Sequence, residues 1–105
     1  MAEVNITEIR IDSSGRLLIH PALDAGQTFE FIYRAAVGVN WEPESNSLVA
    51  PPTKEWSYLD WYENVLSAVA SEYRDQLILT SKTRWTNIPA DLRSQIEESS
   101  ASTAT

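Results

Sequence analysis

Leu59, Tyr62, Val65, Leu66, Val69 and Tyr73 recur at steps of three and four residues, the spacing that lines one face of an α-helix. Tyr58, Trp61 and Ala68 fall beside this stripe and widen it past the ~100° of an ordinary surface helix. Asp60, Glu63, Asn64, Ser67, Ser71 and Asp75 lie mostly opposite. Ser57 is a suitable N-cap, with Asp60 at the third helical position as a weaker form of the capping box. Asp60 and Glu63 suit the positive end of the helix dipole, and Arg74 the negative end. The pattern predicts a helix from Ser57 to Gln76, about 30 Å long. It lies within Lys54–Gln76, the stretch around which the chain is organised, which holds two of the four tryptophans and three of the four tyrosines.

Period-two alternation marks the other strands. Val4 and Ile6 alternate, as do Ile9 and Ile11, but the two pairs are out of phase. One extra residue near Thr7–Glu8 therefore predicts a bulge in a strand over Val4–Asp12. Asp12-Ser13-Ser14-Gly15 is a turn, and Arg16–His20 is the return strand, stopped by Pro21. Leu17 and Ile19 share one face of it, with Arg16, Leu18 and His20 on the other. Residues 28–37 fit a helix through Phe29, Ile32, Tyr33 and Ala36, capped by Thr28 and stopped by Gly38. A strand with Phe29, Phe31 and Tyr33 on one side competes, and Ala35-Ala36 favours the helix.

Val39–Glu42 and Leu48–Ala50 form a second hairpin around Pro43–Ser47, and Pro51-Pro52 forces an extended exit. Leu77–Thr80 is a further strand, and Trp85 falls in a loop. Asn87 caps a last helix with Pro89 in its first turn and Leu92 and Ile96 as its apolar stripe. The order β-β-α-β-β-α-β-α predicts an α+β fold. Its sheet is small and mostly antiparallel, with about five strands. The long central helix and one or two shorter helices pack mainly on one face. Residues 1–98 form a single domain, and the polar residues 99–105 a disordered tail.

Composition narrows what such a domain does. The chain carries eight Lys and Arg against fifteen Asp and Glu, a formal charge of −7. Eight scattered cations are a poor supply for displacing phosphate counterions, which argues against nucleic acid and anionic membrane surfaces. A basic protein partner is permitted by the same charge. The absence of cysteine removes disulfides, zinc–thiolate sites and thiol catalysis together. No apolar run approaches the ~18 residues of a membrane span. The N-terminus has no basic start followed by an apolar core, and a cytoplasmic location is expected.

Catalytic signatures are sparse. Three isolated glycines build no phosphate loop, and no G-x-S-x-G, H-E-x-x-H or Walker pattern occurs. His20 is the single histidine. As an acid–base group it needs an orienting carboxylate. Asp24 and Glu30 are nearest in sequence, and Glu42 or Glu55 would serve if a cleft joins them. The plainer reading is a strand-end histidine bonded to backbone or water. No metal ligand set, cofactor motif or catalytic residue is assigned. Asp60 with Glu63, and Glu42 with Glu44, are explained by the helix dipole and a solvated turn. Glu55 beside Trp56 has an aromatic neighbour that would raise its pKa if it were buried.

The aromatics are the strongest signal. Trp41, Trp56, Trp61 and Trp85, with Tyr33, Tyr58 and Tyr62, are more rings than one sheet face hides. Trp and Tyr combine contact area with a polar handle, which suits interfaces and small-molecule pockets as well as cores. Arg34 and Lys54 are candidate cation–π partners.

The stretches SSGRLLIHP, FEFIYRAAVGVNWE, PPTKEWSYLDWYENV, SEYRDQLIL and TRWTNIP resemble small single-domain proteins encoded in integron gene cassettes. The similarity spans Val4 to Glu98. It implies an α+β fold, frequent homo-oligomers and mostly no assigned biochemical activity, and it transfers no catalytic residue to this chain. A looser similarity is to small acidic immunity proteins and antitoxins that cap basic partners.

Three functions are therefore expected to compete. The first is a self-associating, non-enzymatic binding or adaptor protein. Its candidate surface comprises Trp56, Trp61, Trp41, Tyr33, Tyr58, Arg34 and His20, and forms a subunit contact or takes a small molecule. The second is a small enzyme using His20 with a carboxylate. The third is neutralisation of a basic protein.

Overall fold

The computed structural model describes residues 2–22, 29–36, 38–52 and 56–103. Strand β1 (Ala2–Ile11) is followed by β2 (Leu17–Pro21), a single 3-10 turn (Ile32–Arg34), β3 (Asn40–Glu42) and β4 (Ser47–Ala50). Helix α1 (Tyr58–Tyr73), strands β5 (Asp75–Ile78) and β6 (Arg84–Thr86), and helix α2 (Ala90–Thr103) complete the order. The result is an α+β fold on a six-stranded sheet in the order β3-β4-β2-β1-β5, with β6 also paired to β1.

The sheet is mixed, with three antiparallel pairings, in line with the mostly antiparallel sheet expected, and two parallel ones. The β1–β2, β2–β4 and β3–β4 pairs are antiparallel, whereas β5 and β6 both run parallel to β1. The reason is the path of α1. It leaves β4, crosses one sheet face over β2 and β1, and delivers β5 to the far side of β1. A crossover of this kind returns the chain in the direction of the strand it left.

The bulge expected near Thr7–Glu8 is present as a register shift between Ile6 and Glu8. It keeps Val4, Ile6, Ile9 and Ile11 all against the core. The same point divides the partners of β1. Ala2–Asn5 pair with β5, and Glu8–Arg10 pair with β6. Trp85, expected in a loop, therefore lies in a strand and packs against the core.

Helix α1 begins at the expected cap. Ser57 Oγ accepts from the Asp60 N–H at 3.1 Å, and Asp60 Oδ2 accepts from the Ser57 N–H at 3.1 Å, so both halves of the capping box form. Arg74 takes a left-handed conformation (φ 57°) and ends the helix three residues before the expected limit at Gln76. Tyr62, Val65, Ala68 and Val69 are its buried face.

The helix expected over 28–37 reduces to the one 3-10 turn; Thr28 and Val37 lie outside the described residues. Phe29, Ile32 and Ala36 are buried, whereas Tyr33, the fourth residue of the expected face, is exposed. The Ile32, Arg34, Ala35 and Ala36 N–H groups bond to carbonyls within the segment, and the Phe31 N–H donates to the Tyr73 hydroxyl at 2.8 Å.

Asn87 does not cap α2, which starts at Ala90. It adopts φ 56° and donates from Nδ2 to the Ile11 carbonyl at 3.2 Å. The polar stretch expected to be tail is helical as far as Thr103, and Ser99 Oγ donates to Glu63 on α1 at 2.7 Å. Leu92 and Ile96 join α1 and the 3-10 turn in one cluster on a single sheet face. Leu18 and Val49 are buried outside that cluster, on the opposite face.

Candidate functional site

The predicted site residues divide among three places. Trp56 lies just before the α1 cap and packs on Trp61, ring centroids 4.8 Å apart. Trp61 is half-buried, and Gly38 and Pro51 stand close to it. Gly38 has φ +90°, and an added Cβ would meet the Trp61 ring at 3.5 Å. Trp56 keeps 45% of its surface exposed.

Toward the other end of α1, Phe31 and Tyr33 are 45% and 52% exposed, their centroids 6.4 Å apart. The Arg34 guanidinium stands 4.5 Å from the Phe31 ring centre, and its Nη1 is 3.9 Å from Glu72 Oε1. Beneath them Tyr73 packs edge-on to Phe29 at 4.9 Å. Burial raises the Tyr73 pKa above its ordinary 10.0; Glu72 and Glu30 add to this, while the Phe31 N–H and Arg34 oppose it. This phenol is therefore a neutral structural group.

Trp41 and Tyr58 are elsewhere. Trp41 is 9% exposed and meets Phe29 edge-on at 5.7 Å, so most of it is core, and its remaining surface lines a groove beside β3. Its indole N–H is buried with no partner among the described residues. Tyr58 is half-buried, and its hydroxyl donates to the Gly15 carbonyl at 2.8 Å, fastening α1 to the β1–β2 turn. Lys54 and Glu55 lie outside the described residues.

His20 sits on the opposite sheet face. Its Nδ1 is 3.1 Å from the Ser45 carbonyl. A carbonyl only accepts, so Nδ1 carries the proton. Nε2 then faces Glu8 Oε1 at 3.7 Å, beyond hydrogen-bond reach. The other Glu8 oxygen accepts from Thr86 Oγ1 at 2.5 Å, and Arg84 Nη2 stands 4.0 Å away.

Of the carboxylates expected to serve His20, Asp24 and Glu55 are outside the described residues, and Glu30 lies near Tyr73. Glu42 joins the cluster indirectly, accepting from Ser45 Oγ at 2.7 Å. Glu8 was missed. Counting outward from the hairpin turn pairs it directly with His20, so register held the signal that sequence neighbours did not.

At the β3 edge of the sheet is a groove of about 690 Å³. Its walls include Pro43, Pro51, Pro52 and Val49, with Arg16, Asn40, Glu42 and Glu44 as the polar lining. Arg16 is engaged by Asp12, which accepts from Nε at 2.8 Å and lies 2.8 Å from Nη2. Burial opposes ionisation of Asp12, but the Arg16 and Ser14 N–H groups and the guanidinium outweigh it and hold its pKa below 3.8. Among the described residues no group of three His, Asp or Glu side chains converges as a metal site, and no helix is long and apolar enough to cross a membrane.

Comparison with known proteins bears out the resemblance carried by the sequence. A family model described as Integron Cassette Protein Hfx_Cass5 matches residues 4–83. A solved structure of Integron Cassette Protein Hfx_Cass5, from the mobile metagenome of the North West Arm Sewage Outfall, is 36% identical. The alignment covers 96% of this chain and 98% of that one, with a TM-score of 0.45. Sequence identity, rather than superposition, carries the relationship. No curated protein matches. By the family match over most of its length and by this identity, the chain belongs to the Hfx_Cass5 family of integron cassette proteins.

Proposed function

We propose that this protein is a non-enzymatic binding protein that associates with a second copy of itself through the aromatic flank of α1. The observation that carries the reading is the exposure of Phe31, Tyr33 and Trp56, at 45%, 52% and 45%. Rings of this size are anchors at protein interfaces, where burial of apolar area outweighs the cost of association. Charge favours a second copy as the occupant. Arg34 and Glu72 stand 3.9 Å apart beside the rings. A two-fold axis brings each surface patch against itself, so Arg34 of one copy can answer Glu72 of the other.

Light scattering on the eluting protein tests this. A dimer mass is expected, falling to the monomer mass when Trp56 and Tyr33 are both changed to serine. A strict monomer at millimolar concentration overturns the reading. Salt-sensitive capture of a basic protein by a monomer would favour the neutralising role instead.

A further inference from the structure

A second candidate site lies at the β3 edge of the sheet, where Gly38 and Pro51 separate it from Trp61. We propose that the groove beside β3 binds a small organic cation, an ammonium group carried on an apolar ring. The volume, about 690 Å³, falls within the ~300–1,000 Å³ of small-molecule sites. Pro43, Pro51, Pro52 and Val49 supply apolar wall. Proline rings present only C–H groups, which pack against an aromatic face without demanding hydrogen bonds.

Charge selects the ligand's sign. Arg16 is the single cation among the described lining residues, and its guanidinium is already answered by Asp12 at 2.8 Å through both Nε and Nη2. It also forms a looser ion pair with Glu42 at 3.6 Å. One guanidinium thus faces the carboxylates of Asp12, Glu42 and Glu44, and the balance around the groove is negative. An anion would meet two carboxylates there, and a neutral ring would leave the surplus negative charge unanswered. A cation on an apolar body satisfies the wall and the mouth together.

The test uses the whole protein with benzyltrimethylammonium as probe, and benzyl alcohol and benzenesulfonate as neutral and anionic controls. Saturable amide NMR shifts confined to Asn40, Glu42, Glu44 and Val49 are expected with the ammonium compound alone. One carboxylate about 4 Å from a cation in water-like surroundings is worth roughly a fivefold change in affinity. Glu44→Gln, on an exposed turn, should weaken binding by about that factor. Glu42→Gln, which keeps an acceptor for Ser45, should do the same. Equal binding of benzyl alcohol, shifts centred on Trp56, absence of saturable binding, or unchanged affinity in both variants overturns the proposal.

Discussion

The Thr83 hydroxyl donates to the Ile6 carbonyl across 2.6 Å, at the place where β1 shifts register and exchanges β5 for β6. A bulge leaves backbone groups out of the ladder, and a buried orphan carbonyl is costly. Thr83 is itself buried and removes that cost. One side-chain hydroxyl thus joins the irregularity in the first strand to the break between two later ones.

Replacing Thr83 with valine keeps the shape and deletes the donor. The Ile6 carbonyl is then buried without this partner, a loss of about 1–3 kcal/mol. Urea unfolding should show a lower midpoint with unchanged slope. A midpoint equal to that of the unmodified protein would show the bond to be dispensable.

The start of α1 is held twice, by the capping box and by Tyr58 on Gly15. Ser57→Ala should cost about 1 kcal/mol, as for other N-caps. Tyr58→Phe should cost about 1 kcal/mol, the usual net worth of a hydrogen bond. The two sites are adjacent, so a double-mutant cycle should reveal coupling between them; strict additivity would mean that cap and fastening act separately.

Asp12 makes stability depend on acid. Its folded pKa lies below the ordinary 3.8, so its contribution is complete above that value. It is lost as pH falls from there through the folded value. Asp12→Asn should therefore lower the melting temperature most above about pH 4, and the gap from the unmodified protein should narrow below it. A gap constant from pH 7 to pH 2 would contradict the role given to the Arg16 and Ser14 contacts.

Trp56→Ala separates recognition from folding. The ring is half-exposed and stands before the cap, so loss of self-association without global unfolding is expected, read by light scattering and circular dichroism. Collapse of the fold would make Trp56 ordinary core.

Local patterns decided much of this protein. The three- and four-residue spacing from Leu59 to Tyr73, the Ser57–Asp60 cap and the phase break in β1 each depend on contacts within a few residues. Each was legible for that reason. The identity of the family was also legible in the residues themselves. The placement of residues 29–36 was not, because Phe29 and Phe31 are held by Trp41 and by Tyr73, which lie distant in the chain.

Strand direction was decided by the route of α1 across the sheet, a property of the whole chain. Site membership was decided the same way. Trp41 and Tyr33 look alike as aromatic candidates in the sequence, yet one is enclosed beside Phe29 and the other faces out. The pairing of His20 with Glu8 and the grouping of Arg16, Glu42 and Glu44 around one groove likewise come from strand pairing. Periodicity reports which face a residue occupies; only packing between distant segments determines what, if anything, covers it.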